Sequence, residues 1–220
     1  MNITLSDVKL EFGTMAEKPI SYEFSTGAFT VLRGRSGTGK TTLLHTMAGF
    51  QAPESGNVYW DEQDYYSFSK SKRESLRQEN VGWVDQEYGM ISSLTVQENI
   101  VLGCSRGQIK TLRPMVCELA EALAITHVLK SRPMNISGGE RQRAAIIRAL
   151  IYQSRSAFIL DEPTSALDLH STELVMDLLL RKCHNGATLV IASHDQEVIA
   201  RAEHIIELDH TLTMSDIANP

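Results

Sequence analysis

The chain has 220 residues, 42% of them hydrophobic and 22% charged, with a formal net charge of −6. A chain of this size buries a substantial core without disulfide or metal staples, and its acidic balance argues against a nucleic-acid binder, which carries a basic stripe. Three widely spaced cysteines, Cys104, Cys117 and Cys183, form no C-x-x-C pair, so packed thiols in a reducing compartment are expected in place of a disulfide framework or a zinc site.

The first residues, MNITLSDVKLEF, alternate apolar and polar side chains and carry acids early. They lack a basic n-region and an apolar h-region, so they read as a strand and not a signal peptide. Ile3, Leu5, Val8, Leu10 and Phe12 predict antiparallel strands with one wet face. Phe29–Leu32 is a short apolar run ending at Gly34, followed by a glycine-rich loop and a helical stretch over Thr41–Ala48. Gly49–Gly56 reads as a loop, Asn57–Trp60 as a returning strand, and the charged run Asp61–Arg77 as a solvated helical face.

Val81–Val84 is a further strand candidate. Leu94–Leu102 and Met115–Leu129 carry apolar residues three and four apart and predict helices. Glu140–Tyr152 reads as a long helix with Ser137 near its N-terminus. Ala157–Leu160, Thr188–Ala192 and Ile205–Leu208 are strand-like, with helical stretches at Ser171–Lys182 and Gln196–Arg201 between them. Strands alternating with helices imply an α/β fold with a mainly parallel sheet. No apolar run approaches the ~18–20 residues needed to span a bilayer, so a membrane role is expected to come through a partner.

Two segments carry chemistry. Gly34-Arg35-Ser36-Gly37-Thr38-Gly39-Lys40-Thr41 satisfies G-x-x-x-x-G-K-[ST] between a predicted strand and a predicted helix. Its glycines let backbone N–H groups cradle phosphate oxygens, and the following helix adds its positive end. Lys40 can reach the β- and γ-phosphates and the Thr41 hydroxyl can ligate Mg²⁺. With Thr42 these residues form the candidate ATP-binding set. The second segment, Ala157-Phe158-Ile159-Leu160-Asp161-Glu162, is a buried strand ending in two acids, and ligands of open α/β sheets sit at the carboxyl ends of strands. Asp161 is placed to hold Mg²⁺ through water, and Glu162 to polarise an attacking water.

Asn135-Ile136-Ser137-Gly138-Gly139-Glu140-Arg141-Gln142-Arg143 resembles the signature of ATP-binding cassette (ABC) proteins, usually L-S-G-G-Q. In the same order, Gln86 resembles the Q-loop glutamine, Ser165-Ala166-Leu167-Asp168 the D-loop and Ala192-Ser193-His194-Asp195 the switch-histidine strand end. Phe12 lies where the family has an aromatic residue that stacks on adenine. The resemblance implies one ABC ATPase domain over 1–220. A P-loop core and an N-terminal antiparallel β-subdomain would enclose a helical subdomain, roughly 87–150, between the phosphate loop and the acidic strand. It also implies a dimer, with itself or a paralogous cassette, around two Mg-ATP. Catalysis falls to Glu162, His194 and Gln86, with Gln86 also a metal ligand beside Thr41 and Asp161. Ser137, Gly138, Gly139 and Glu140 would contact nucleotide held by the partner, and Asp168 would lie at the same interface.

Glu140 replaces the usual glutamine, Phe12 the usual tyrosine, and Asp209-His210-Thr211 lacks the glycine common in the last hairpin. S-G-G-E-R-Q-R resembles the branch of lipoprotein-release, macrolide-efflux and cell-division cassettes. A chain ending soon after His194 leaves no room for the added C-terminal domain of many importer ATPases. The resemblance therefore implies a subunit on the cytoplasmic face of the membrane that powers a separate permease and receives one of its helices in a groove beside the Q-loop, which Tyr88, Met90, Ile91 and Leu94 could line. Work on a membrane partner without transport is the alternative. A soluble cassette acting on DNA or ribosomes is disfavoured, since such proteins usually join two cassettes in one chain or insert long coiled coils and this chain lacks a basic face by composition; no nucleic-acid partner is expected.

Overall fold

A computed structural model describes residues 1–11, 13 and 18–208. Phe12 and the turn at 209–211 lie outside the described residues. In chain order the strands are β1 (Ile3–Lys9), β2 (Ile20–Phe24), β3 (Phe29–Arg33), β4 (Ser55–Trp60), β5 (Gln63–Asp64), β6 (Val81–Val84), β7 (Ala157–Asp161), β8 (Thr188–Ala192) and β9 (His204–Glu207). The helices are α1 (Lys40–Met47), α2 (Lys70–Asn80), α3 (Val96–Ile100), α4 (Arg106–Ala122), α5 (Gly138–Leu150), α6 (Leu169–His184) and α7 (Gln196–Ile199).

The strands form an antiparallel sheet in the order β2-β1-β4-β5 and a parallel sheet in the order β6-β7-β8-β3-β9. Alternation along the parallel strands divides the core. Phe158 and Leu160 of β7 face one layer with Val96, Val116, Ile147 and Val175 of the helices. Ala157 and Ile159 face the other, with Leu43, Leu44 and Met47 of α1 and Ile3, Leu5 and Phe24 of the antiparallel sheet. The helices at 96–150 share their apolar cluster with the parallel sheet.

Three local features depart from the sequence reading. The apolar positions of β1 change phase between Leu5 and Val8, and the pairing with both neighbours slips there, with Asp7 in the left-handed region at φ 48°. A β-bulge re-aims the strand so that Ile3, Leu5, Val8 and Leu10 all reach the core. The run 61–77 is not all solvated. Asp61 and Glu62 turn the chain at φ 47° and 63°, and Tyr65 is fully buried with its ring 4.0 Å from Trp60. The helix α2, which starts after the Ser69 cap, has no buried residue. Finally, α4 begins at Arg106 and not near Met115. Ser105 and Gln108 form a capping box there, and Pro114 lies inside the helix on an exposed turn, where water can satisfy the carbonyl its missing N–H leaves. Of the cysteines, Cys183 is buried, Cys104 half-buried and Cys117 exposed, and all are free thiols.

Gly49 follows α1 at φ 80°, and a Cβ there would sit 2.4 Å from the Tyr65 ring. Gly49→Ala is therefore expected to destabilise the chain by about 1–3 kcal/mol in urea unfolding. An unchanged midpoint would contradict the close packing of Tyr65 under this turn.

Candidate active site

The strand order places the candidate catalytic segments at one end of the parallel sheet. Leu32 pairs with Ala192, and Ala192 pairs with Asp161, so β3, β8 and β7 end in step. The chain leaves them through Gly34, Ser193-His194 and Glu162 respectively. Next to β7, β6 ends before Asp85 and Gln86.

After β3 the phosphate loop turns through Gly37 at φ 82° and Gly39 at φ 107°, and Gly39 is the N-cap of α1. Arg35, Ser36 and Gly37 are exposed, while Thr38 is buried and its hydroxyl donates to Arg35 O at 3.0 Å. Lys40 is buried, and its Nζ donates to the carbonyls of Gly34 (2.6 Å) and Arg35 (3.0 Å). The ammonium thus sits in the curl of the loop that would receive phosphate. A groove of about 290 Å³ beside the loop is lined by Arg33, Gly34, Arg35, His194 and Glu207. Thr42 is half-buried in the first turn of α1, and its carbonyl accepts from the Thr46 hydroxyl at 2.9 Å.

Thr41 Oγ1 donates to Asp161 Oδ2 at 2.6 Å, joining the two motifs. Burial pushes the Asp161 carboxyl above its ordinary range, the Thr41 bond offsets part of this, and the charge of Asp85 pushes in the same direction as burial. This pair fits Mg²⁺, which takes one or two protein oxygens and draws the rest from water and phosphate. No group of three or more His, Cys, Asp or Glu able to hold a metal occurs among the described residues.

Glu162 has φ 47°, a sparsely populated conformation for a non-glycine residue, and its N–H bonds Ala192 O at 2.9 Å. The turn holds its side chain 3.7 Å from His194 Nε2. Burial raises the Glu162 carboxyl, and His194 partly offsets that shift. Gln86 is exposed and hydrogen-bonds no other described residue. The structure therefore brings Lys40, Thr41, Asp161, Glu162 and His194 to one edge and leaves Gln86 reaching into solvent beside them.

The signature turn is built separately. Ser137 caps α5, with Glu140 N–H donating to Ser137 Oγ at 3.2 Å and Ser137 N–H donating to Glu140 Oε2 at 2.7 Å. A Cβ on Gly139 would lie 2.9 Å from Ala166 O, so this turn packs backbone against the segment after Glu162. Asp168 in that segment caps α6 by accepting from Ser171 N–H at 2.7 Å, a bond that holds its carboxyl below the usual range.

Sequence reasoning gave no role to Gln142. It is fully buried, and it donates to Glu162 O at 2.8 Å and accepts from Ala166 N–H at 3.0 Å. Nor did it single out Thr164, whose hydroxyl donates to Asp195 Oδ2 at 2.8 Å and joins the loops after β7 and β8. A polar residue on the apolar face of α5 was the available signal for Gln142. Near Gln86, Arg148 of α5 donates to Tyr88 O (2.6 Å) and Gly89 O (2.9 Å). Tyr88, Met90 and Leu94 are half-buried and Ile91 is 43% exposed. No helix among the described residues is long and apolar enough to cross a membrane.

A family model described as "ABC transporter" matches residues 18–165, and one described as "AAA domain, putative AbiEii toxin, Type IV TA system" matches residues 132–200. The chain is 32% identical over 201 residues to the macrolide export ATP-binding/permease protein MacB of Campylobacter jejuni, covering 90% of this chain and 31% of that protein. It is 35% identical over 218 residues to the sulfate/thiosulfate import ATP-binding protein CysA of Synechococcus elongatus, covering 96% of this chain and 60% of that one. The chain thus spans about a third of MacB and under two thirds of CysA. Among solved structures, the dimeric bacterial ABC transporter cassette MJ0796 aligns with a TM-score of 0.82 and 29% identity over 93% of each chain. MJ0796 in a dimeric post-hydrolysis state bound to ADP and Pi aligns with the same TM-score.

The raised Asp161 carboxyl has a stability consequence. A folded-state pKa above the unfolded one means that the native chain holds its proton more tightly, so stability is lost as pH rises from the unfolded value through the folded one. Asp161→Asn removes that loss and keeps an acceptor for Thr41. Without nucleotide the variant is expected to unfold at higher urea than the parent at neutral pH, with the gap closing as pH falls to the ordinary carboxylate range. A variant less stable at neutral pH would contradict this.

Proposed function

Because the chain belongs to the ABC transporter family of ATPases, we propose that it is the nucleotide-binding subunit that binds Mg-ATP in pairs and powers a separate membrane permease. The observation that carries this reading is the shared strand edge, where Lys40, the Thr41–Asp161 pair and the Glu162–His194 pair converge. In this reading the loop from Gly34 to Lys40, with Thr41 and Thr42, wraps the triphosphate. Lys40 trades its loop carbonyls for phosphate oxygens. Thr41 and Asp161, with Gln86, would hold Mg²⁺, which would supply charge neutralisation for the phosphates. Glu162 orients and polarises the attacking water as a general base, and His194 steadies the γ-phosphate and the Glu162 carboxylate. Phe12 stacks on adenine.

Half of the site is supplied in trans. The N-terminus of α5 presents Ser137, tied to Glu140 through its N–H and hydroxyl, with Gly138 and Gly139, and the N–H groups of a first helical turn favour an anion. We assign this turn, with Glu140 and Asp168, to the nucleotide held by a second copy or a paralogous cassette. Two ATP molecules then bridge two subunits. The dimeric MJ0796 structures support this arrangement. The match to MacB and the S-G-G-E-R-Q-R signature support a permease of the exporter or mechanical type. That partner would dock along Tyr88, Met90, Ile91 and Leu94 and hold the subunit on the cytoplasmic face. The whole chain, 1–220, acts as one ATPase domain in this reading.

Glu162→Gln is expected to retain ATP binding, to lower turnover by about 10²–10⁴-fold, and to accumulate as an ATP-bound dimer in sedimentation experiments. Near-normal hydrolysis in that variant would sink the assignment of Glu162. Lys40→Ala is expected to weaken binding of a fluorescent ATP analogue at least about tenfold, a loss of roughly 1.4 kcal/mol; unchanged affinity would count against the phosphate-loop assignment.

A further inference from the structure

Glu140 occupies the third position of α5, inside the turn assigned above to a second subunit's nucleotide. The positive end of a helix attracts an anion, but a fixed carboxylate in the first turn repels one. The structure accounts for both oxygens of that carboxylate. Oε2 accepts from the N–H (2.7 Å) and the hydroxyl (2.8 Å) of Ser137. Oε1 lies 3.0 Å from Nε2 of His127. The bonds from Ser137, reinforced by His127, hold the carboxyl below the usual range. An ionised carboxylate only accepts hydrogen bonds, so Nε2 carries the proton of this contact.

His127 lies on a short turn, Thr126–Val128, that follows α4. Its side chain is 67% exposed, so core packing does not require an imidazole there. Two nearby cations are engaged elsewhere. Arg141 Nη1 donates to the carbonyls of Pro133 and Ile136, and Arg143 Nη1 donates to Ser171 Oγ. His127 is the partner that reaches the outer oxygen of Glu140.

We infer that His127 is a positioning residue for the nucleotide-bound dimer: its N–H covers the outer oxygen of Glu140, so that Glu140 can anchor Ser137 without repelling the incoming triphosphate. Glu140 alone orders the turn but charges it unfavourably. His127 alone would have nothing to offset. The two act as a unit, and the inference rests on the proposed pairing of subunits around ATP.

The test is a double-mutant cycle in the Glu162→Gln background, comparing the parent, His127→Ala, Glu140→Gln and the double variant. The dissociation constant of the dimer is measured by sedimentation at saturating Mg-ATP, at low and at high salt. A hydrogen-bonded contact of this kind at the surface is worth up to about fivefold in an equilibrium constant, and a symmetric dimer contains it twice. His127→Ala is therefore expected to weaken the dimer about 2- to 25-fold at low salt, and by much less near 1 M salt, where the Debye length falls to about 3 Å. Where Glu140→Gln has already removed the charge, His127→Ala is expected to change the constant less than about twofold. Equal weakening in both backgrounds, salt-independent weakening, or no effect in either overturns the inference. A parent that stays monomeric with Mg-ATP overturns the dimer reading itself, which separates the two failures.

Discussion

Parallel pairing of β3, β8 and β7 with their carboxyl ends in step is the constraint on which the site depends. Leu32, Ala192 and Asp161 lie on one line across the sheet, so loops far apart in sequence start from adjacent points. From there, short polar contacts suffice. Thr41 reaches Asp161, Glu162 faces His194, and Thr164 reaches Asp195. The apolar runs that make these strands also make the site, because both faces of the sheet are covered and its edge alone stays accessible to a polar ligand.

A second coupling runs through α5. Gln142 holds the carbonyl of Glu162 and the N–H of Ala166, while the start of the same helix carries Ser137 and Glu140 and its later turns carry Arg148, bonded to the loop at Tyr88 and Gly89. One rigid element therefore touches the acidic strand end, the signature turn and the loop proposed to meet a membrane partner. A buried amide satisfied on both its oxygen and its nitrogen fixes the relative position of these parts more tightly than apolar contact does. The left-handed backbone of Glu162 is held within this frame, consistent with strain retained where chemistry is proposed.

Much of this was legible in the sequence, for physical reasons. The central parallel strands β3, β7 and β8 are mostly continuous apolar runs, because both their faces are buried, and the phosphate loop must have glycine where φ is positive. The strand ends at Asp161 and His194 followed directly. What escaped was non-local or irregular. The bulge at Asp7 hides in a phase change between Leu5 and Val8. Tyr65 was masked by the charges around it, and the start of α4 by a polar first turn and Pro114. Gln142 and His127 act through partners 20 and 13 residues away; a polar residue on the apolar face of α5 marks Gln142 as buried but not its partner, and nothing local marks His127. Glu140 could be read as a departure from its family pattern, but the histidine that answers it could not.

In the proposed dimer, Lys40 of one subunit and Ser137 of another face each other across the same ATP. A crystal structure of the Glu162→Gln chain grown with Mg-ATP tests it most directly. The account predicts a two-fold dimer in which each γ-phosphate lies between the Lys40 ammonium of one chain and the N-terminus of α5 of the other. A nucleotide enclosed by a single chain, with the signature turn of every copy facing solvent, would contradict it.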